Sequence, residues 1–271
     1  MLKKLSVIYG GLFILLALLW CPLGASGEVK VKLRLEYTSY LQYEPVNAYV
    51  TIENDSDYEL FMGKTEKDGN SRIEFIVKKD KDEVVQRSEK RPILTNFRVK
   101  QGEKWEAMRD VSTWYNLTTM GRYTVRAVVY LNGQAWQSNV AMIDIVRGIE
   151  VASKTRSVPG YEDLVRTYSL RYWSRGGVEY LFLCVDEEST KLNYGIIELG
   201  PVVRVAKPVV EVDKNGNVIV VHQSSRDCYT RSVFKSTKSG VEFVDQKYLL
   251  ENGAPYPDKS KGRTGGNAGG K

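Results

Sequence analysis

Residues 121–145 read GRYTVRAVVYLNGQAWQSNVAMIDI and carry the clearest structural signal in the chain. Between Tyr123 and Val129, apolar side chains occupy every second position, which is the period of a β-strand with one buried face. Asn132-Gly133 then interrupts the alternation, and Asn-Gly favours a tight hairpin turn because both residues tolerate positive φ angles. The chain returns as a second strand from Ala135 to Ile145. The stretch therefore predicts an antiparallel β-hairpin.

Alternation of period two continues over most of the chain from Val29 onward, and no amphipathic helix of ten residues stands out. Polar clusters separate the alternating segments, as at 54–57 and at the charged run 78–82, which is typical of a hairpin tip. Many short strands with turn signals at close spacing are typical of a β-sandwich. We therefore predict an all-β protein with a sandwich over residues 28–146.

Several segments of the first half have the order of the strands and corners of a known class of β-sandwich. They are Glu44-Pro45-Val46 with Val50 and Ile52, Asn54-Asp55-Ser56, Asp110-Val111-Ser112, Trp114-Tyr115-Asn116-Leu117 and Gly121-Arg122-Tyr123-Thr124-Val125. In this order the first half resembles the immunoglobulin-like and fibronectin-like β-sandwich accessory domains of secreted bacterial proteins. A similar arrangement occurs in the pro-domains of some secreted metalloproteases and in certain bacterial proteinase-inhibitor-like domains. The resemblance is one of fold-level patterning, and it implies an immunoglobulin-like sandwich without assigning any functional residue.

The second half has a different organisation. Periodicity lapses over residues 147–163, where Pro159-Gly160 indicates a linker. Strand patterns resume over residues 164–251 and predict a small antiparallel β-module, either a single sheet or a second sandwich, because the chain is too short to close a propeller. Residues 252–271 are rich in Gly, Lys, Ser and Asn, which predicts a disordered tail.

The N-terminal segment has the pattern of a secretory signal. Lys3 and Lys4 precede an uncharged apolar run, and Pro22 is followed by the small residues Ala25-Ser26-Gly27. Cleavage after Gly27 would remove residues 1–27 as a signal peptide, and the alternative is an uncleaved membrane anchor. We therefore expect a secreted, periplasmic or cell-envelope protein, which contacts the membrane only if the segment is retained.

The net charge of +6 gives little indication of a partner, because much of it lies at the two ends. Lys3 and Lys4 belong to the signal segment, and the residues after Pro257 carry a net charge of about three. The folded part retains a nearly balanced mixture of both signs, which argues against a nucleic-acid partner.

Cys184 and Cys228 are the two cysteines that follow the signal segment, and exported proteins can pair such residues. Each lies in or beside a strand of the second half. We predict a disulfide between them, with two separate buried thiols as the alternative.

Candidate catalytic and metal-binding residues are few. His222 is the only histidine, it follows a predicted strand, and no Gly-x-Ser-x-Gly elbow accompanies it, so a structural role is favoured over that of a catalytic base. Asp213, Asn215 and Asn217 alternate like calcium ligands, but Gly216 and Ser224 do not fit the calcium loop, and a tight turn explains the same residues. No cofactor or metal is predicted.

Acidic and aromatic clusters complete the set of candidates. Carboxylates at 186–188, and at Glu53, Asp55 and Asp57, could act in hydrolysis only if a pair faced one cleft. Tyr37, Tyr40 and Tyr43 are crowded around one predicted strand and its turn, where they are either sheet and core residues or a binding surface.

These observations favour a non-enzymatic exported protein that binds an unidentified protein or glycan. The first alternative is an inhibitor-like or pro-domain-like partner of a secreted protease, which the resemblance permits. The second is a hydrolase that uses His222 or the acidic residues of the second half.

Overall fold

A computed structural model of the chain describes residues 28–63, 71–80, 83–89, 93, 96–131, 133–190 and 192–257. The predicted signal segment 1–27 and residues 258–271 of the predicted tail lie outside this range. Within it the chain is almost entirely β-structure, which confirms the predicted all-β fold class. None of the described residues forms a helix long and apolar enough to span a membrane.

The first half forms two facing sheets and a small β-ribbon. One sheet has the order β1-β3-β8, the other has the order β2-β10-β9-β5-β6, and β4 pairs with β7. All of these pairs are antiparallel except β2 with β10, which is parallel. The strands are β1 Val29–Leu35, β2 Ser39–Leu41, β3 Asn47–Asn54, β4 Leu60–Met62, β5 Arg72–Lys79, β6 Glu83–Val84, β7 Phe97–Val99, β8 Lys104–Asp110, β9 Gly121–Leu131 and β10 Gln134–Val146.

The predicted hairpin is β9 and β10, and its apolar face lies in the core between the two sheets. Val125 and Val129 are buried there together with Val50 and Ile52 of the opposite sheet. β10 carries a bulge between Gln137 and Val140 that the alternation did not predict. The bulge directs the Asn139 amide across the sandwich, where it accepts from the backbone N–H of Leu33 at 2.9 Å and donates to the Leu33 carbonyl at 3.0 Å.

The second half consists of two four-stranded antiparallel sheets with the orders β11-β12-β13-β14 and β15-β16-β17-β18. They share one core, to which Leu183 contributes from the first sheet and Val220 and Phe234 from the second. The second module is therefore a two-sheet structure rather than a single sheet. Its strands are β11 Ile149–Val158, β12 Tyr161–Arg175, β13 Val178–Glu187, β14 Asn193–Pro201, β15 Val209–Val212, β16 Asn217–Ser225, β17 Cys228–Thr237 and β18 Gly240–Leu249.

Two predicted boundaries are corrected. Residues 147–163, predicted as a linker, form β11, a hairpin turn at Pro159-Gly160 and the start of β12. The prediction failed because β11 is an edge strand with mostly exposed or half-buried side chains, so it lacks an alternating apolar face. Residues 252–257, predicted to be disordered, fold back on β18, where Tyr256 N–H donates to the Tyr248 carbonyl at 2.9 Å.

The predicted bridge between Cys184 and Cys228 is not formed, and both cysteines are buried free thiols. Leu183 and Val185 face the core between the sheets, so the alternation of the strand turns Cys184 to the other side of its sheet. Cys228 shares the face of β17 that carries Phe234 into that core. A β-sheet thus separates the two thiols, and the alternative of two separate buried thiols describes the structure.

The two modules are packed directly against each other where the chain leaves β10. Gly148 has a φ angle of +73°, and a Cβ atom there would lie 2.8 Å from Leu41 of the first module and 3.0 Å from the Tyr172 carbonyl of the second. Only glycine fits this backbone angle and this spacing. The side chain of Leu41 is fully buried at this junction.

Candidate functional site

A groove of about 590 Å³ lies between the two modules. In the first module, Ile145 of β10 is opposite both Tyr40 of β2 and Gly121 of β9. The connection that follows β2 and the one that precedes β9 therefore lie at the same end of the sandwich, where the chain passes into β11. These connections form one side of the groove, and the start of β14 forms the other.

Tyr43 lies on the first-module side of the groove in a strained backbone conformation. Leu41 and Glu44 close a turn in which Glu44 N–H donates to the Leu41 carbonyl at 3.0 Å, and the Glu44 carboxylate accepts from Leu41 N–H at 2.8 Å. Tyr43 occupies the third position of this turn with a φ angle of +73°, a region that glycine favours. Its side chain is 38% exposed, so burial does not compensate for the strain.

Glu44 also forms a buried ion pair that joins the modules. Its carboxylate accepts from the Arg175 guanidinium, and the two side chains are only 12% and 7% exposed. The Arg175 guanidinium carbon lies 4.3 Å from the ring centre of Tyr37 and 5.1 Å from that of Phe182. Burial raises the pKa of the Glu44 carboxyl, while its hydrogen bonds to Arg175 and to the backbone of Leu41 oppose the shift.

Apart from Ser88, the remaining first-module lining comes from the segment after β8, which begins with a single 3₁₀ turn at Val111–Thr113. The Tyr115 hydroxyl donates to the Phe75 carbonyl and anchors this segment to β5. Asn116 Oδ1 then accepts from both the N–H and the hydroxyl of Thr118, at 3.1 and 2.6 Å. This arrangement leaves the NH₂ group of the Asn116 amide for contacts outside the loop.

The second-module side of the groove is held by a polar network behind it. The Tyr194 hydroxyl donates to the buried Glu187 carboxylate at 2.7 Å, and the Arg166 guanidinium carbon lies 4.0 Å from the centre of the Tyr194 ring. Asn193 Oδ1 accepts from the N–H of Gly195 at 2.9 Å. Of the described residues that line the groove, Glu44 is the one with a charged side chain.

The three clustered tyrosines have different environments. Tyr40 is fully buried, and its hydroxyl accepts from Tyr37 N–H at 3.0 Å. Burial raises the pKa of Tyr40 to about 12. Tyr37 is half-buried beneath Arg175, whereas Tyr43 lines the groove. The core interpretation therefore describes Tyr40, whereas Tyr43 is exposed at the groove.

The predicted carboxylate candidates are engaged in local contacts. Glu187 accepts from the hydroxyls of Ser189 and Thr190 at 2.8 and 2.9 Å, and together with the Tyr194 hydroxyl these lower its pKa. Asp186 and Glu188 likewise accept hydrogen bonds from neighbouring side chains. All three carboxylates are therefore engaged in local contacts.

Each of the first-half carboxylates is engaged by a lysine or an amide side chain. Glu53 is paired with Lys32 and Lys104, each at 2.8 Å, and their hydrogen bonds lower its pKa to about 2. Asp55 is paired with Lys30 at 3.0 Å. Asp57 accepts from Gln101 at 3.4 Å.

Asp213, Asn215 and Asn217 form the hairpin turn between β15 and β16. Asp213 Oδ1 accepts from the N–H groups of Asn215 and Asn217, both at 2.8 Å, and Gly216 has a φ angle of +79°. The carboxylate is thus used within the turn, in agreement with the turn interpretation. No cluster of His, Cys, Asp or Glu able to hold a metal ion occurs among the described residues.

His222 lies within β16, in the space between the two sheets of the second module, and not at the end of a strand. It is 2% exposed, and neither ring nitrogen makes a hydrogen bond of normal geometry. Burial lowers its pKa to about 4, although the Pro201 carbonyl partly offsets the shift. A ring enclosed in this way is poorly placed to act as a base on an external substrate.

The buried His222 is expected to make the chain sensitive to mild acid. Its pKa lies below the value of about 6.5 in unfolded chains. Between pH 6.5 and 4 the unfolded state therefore binds a proton at this histidine more readily than the folded state does. Protonation of His222 does not lower the free energy of unfolding above pH 6.5, but it lowers it by on the order of 3 kcal/mol by pH 4. Urea unfolding of His222→Gln should lack this part of the acid loss. Equal pH profiles for both proteins would contradict the assignment.

Comparison with known proteins adds little. No protein-family model matches the chain, and no curated protein matches it. A solved structure found by comparison is that of Spo0M, a sporulation control protein from Bacillus subtilis. It is 9% identical, with a TM-score of 0.31 over 83% of this chain and 91% of that one. A similarity of this size carries no argument about function.

Proposed function

We propose that this chain is a non-enzymatic ligand-binding protein of the cell envelope or the extracellular space, with its ligand bound in the groove between the modules. The observation that carries the proposal is Tyr43. A large aromatic residue is held at a φ angle of +73° on an exposed groove wall, where glycine would cost less. Backbone strain at an exposed residue is typical of functional sites. We infer that a tyrosine is kept at this strained position because its side chain contacts the ligand.

The export part of the proposal rests on the sequence of residues 1–27. Its basic start, uncharged apolar run and small-residue exit favour a cleaved signal. The near balance of charge in the folded part favours a partner other than nucleic acid.

We further propose that the first module is an immunoglobulin-like sandwich. Two features of the sheets β1-β3-β8 and β2-β10-β9-β5-β6 support this. The module consists of two facing sheets, and its last strand, β10, pairs with β9, the strand that follows a corner of the chain, as in an immunoglobulin fold. The Tyr123 hydroxyl near the start of β9 donates to the Thr119 carbonyl at 2.6 Å. A tyrosine bonded back to the preceding corner is a hallmark of such domains.

Substitution of Tyr43 by glycine tests the binding site. We expect Tyr43→Gly to leave the free energy of unfolding within about 1 kcal/mol of wild type, because relief of strain offsets the added freedom of the unfolded chain. Binding should weaken by about tenfold or more, since the aromatic wall is lost. The measurement is retention of the intact protein on an array of envelope glycans and on a panel of secreted proteins, followed by titration of any hit.

Tyr58 provides the matched control, because it is exposed but does not line the groove. Tyr58→Ala should bind as wild type does. Wild-type protein that retains no probe, or Tyr43→Gly that binds equally well, would count against the proposal.

A further inference from the structure

We infer that the groove accepts a neutral, hydroxyl-rich chain, that is, a carbohydrate. The inference rests on the proposed binding function and specifies its ligand. Its volume of about 590 Å³ lies within the range of about 300–1,000 Å³ that is usual for small-ligand sites. Three properties of the lining indicate the ligand class: its charge, its surface chemistry, and a backbone N–H group that is already bonded to a side chain.

The electrostatics of the groove favour an uncharged ligand. None of the described lining residues is a lysine or an arginine, so the lining offers no cationic partner for a phosphate, sulfate or carboxylate. The Glu44 carboxylate is already paired with Arg175 behind the lining, which reduces its attraction for a cation.

The surface chemistry of the groove matches a sugar ring. Tyr43 is 38% exposed, and a tyrosine side chain offers apolar ring contact for the C–H groups of a sugar together with a hydroxyl that can donate or accept. Across the same loop region, the Asn116 NH₂ group is oriented by the two hydrogen bonds that its carbonyl oxygen accepts from Thr118. An aromatic face beside fixed amide and hydroxyl groups combines apolar contact with hydrogen bonds that orient a ligand.

A peptide that adds a strand to the sheet is the competing ligand, because β14 lies at the edge of its sheet. The part of β14 that lines the groove is poorly suited to such pairing. Gly195 N–H donates to the Asn193 side chain, and the amide of that side chain donates to Asp186 at 2.9 Å. The strand therefore has one donor fewer for a peptide backbone at the position where it faces the groove.

The test is calorimetric titration of the intact protein with neutral oligosaccharides: fragments of cellulose, xylan, mannan and chitin. Polygalacturonate fragments and a random decapeptide library serve as charged and peptide probes. We expect at least one neutral oligosaccharide to bind, with a Kd that changes less than about twofold between low and high salt. The anionic fragments should bind at least about tenfold more weakly.

Asn116→Asp is the sharpest variant, because the carboxylate can still accept both hydrogen bonds from Thr118 while the NH₂ donor is replaced by a charged oxygen. Its thermal midpoint should match wild type, and the affinity for the neutral oligosaccharide should fall about tenfold. Tyr43→Gly should give a comparable loss.

The outcomes separate this inference from the proposed function. A peptide or anionic probe that binds in a Tyr43-dependent manner, with no neutral oligosaccharide bound, overturns the carbohydrate assignment and leaves the groove as the binding site. Oligosaccharide binding that is unchanged in both variants overturns the groove as its site. Absence of binding by every probe counts against both proposals.

Discussion

Replacement of Arg175 by alanine is expected to lower the free energy of unfolding of the intact chain by about 3–5 kcal/mol. The substitution removes one partner of a buried ion pair. The Glu44 carboxylate, whose side chain is only 12% exposed, then has no counter-charge. It also removes the guanidinium packed between Tyr37 and Phe182, so the contact between the modules loses both charge and area. Urea unfolding measures the change.

Two controls distinguish this effect from simple loss of a surface charge. Arg204 pairs with Glu179 in an exposed position, and Arg204→Ala should cost less than about 1 kcal/mol. The double variant Glu44→Gln with Arg175→Met should recover most of the loss, because no buried unpaired charge remains in the interface. Glu198, which also pairs with Arg175 at 3.3 Å, is 43% exposed, so water solvates it when the pair is lost. Proteolysis near residue 147 should become faster in Arg175→Ala alone. A loss below about 1 kcal/mol in that variant would show that the pair does not hold the modules together.

Replacement of Arg166 by methionine is expected to have an effect of similar size. Arg166 is fully buried, and its guanidinium donates to the carbonyls of Thr237, Lys238 and Gly240 at 2.7 to 3.0 Å. Methionine fills the space but leaves these acceptors unpaired and the nearby buried Glu187 carboxylate without a positive neighbour. The free energy of unfolding should fall by about 3–5 kcal/mol.

Hydrogen exchange locates the Arg166 effect. Amides of the β17–β18 hairpin should lose protection in Arg166→Met, whereas those of the first module should not. Lys238→Ala is the matched control, because it keeps the backbone carbonyl that Arg166 contacts and should change stability by less than about 0.5 kcal/mol. Uniform loss of protection over both modules would mean that Arg166 acts on global stability and not on the hairpin.

The strongest sequence pattern led to the correct local structure. The hairpin at 121–145 is present with its apolar face inward, because alternation and an Asn-Gly turn are local properties of the chain. The bulge between Gln137 and Val140 was not predicted, since it serves the contact between Asn139 and Leu33 on the facing sheet. The β11 strand was missed for the complementary reason that it has little buried surface to produce a pattern.

The candidate site was only partly visible in the sequence. The crowding of tyrosines drew attention to Tyr43, but nothing near it in the sequence indicated a positive φ angle. The sequence did not single out Asn193, Tyr194 and Gly195, because their place beside the first module depends on how the two modules pack. The predicted disulfide failed for a related reason, since spacing along the chain does not reveal which side of a sheet each thiol faces.

By itself the sequence determined the all-β fold class, the main hairpin and the local turns, because strand period and turn chemistry act over a few neighbouring residues. The tertiary structure alone decided that the second half forms two facing sheets, that Glu44 pairs with Arg175, and that a groove opens between the modules. The alternation of apolar residues indicates which face of a strand is buried, but it does not indicate which other element packs against that face. Contacts between residues far apart in the chain depend on how whole sheets pack.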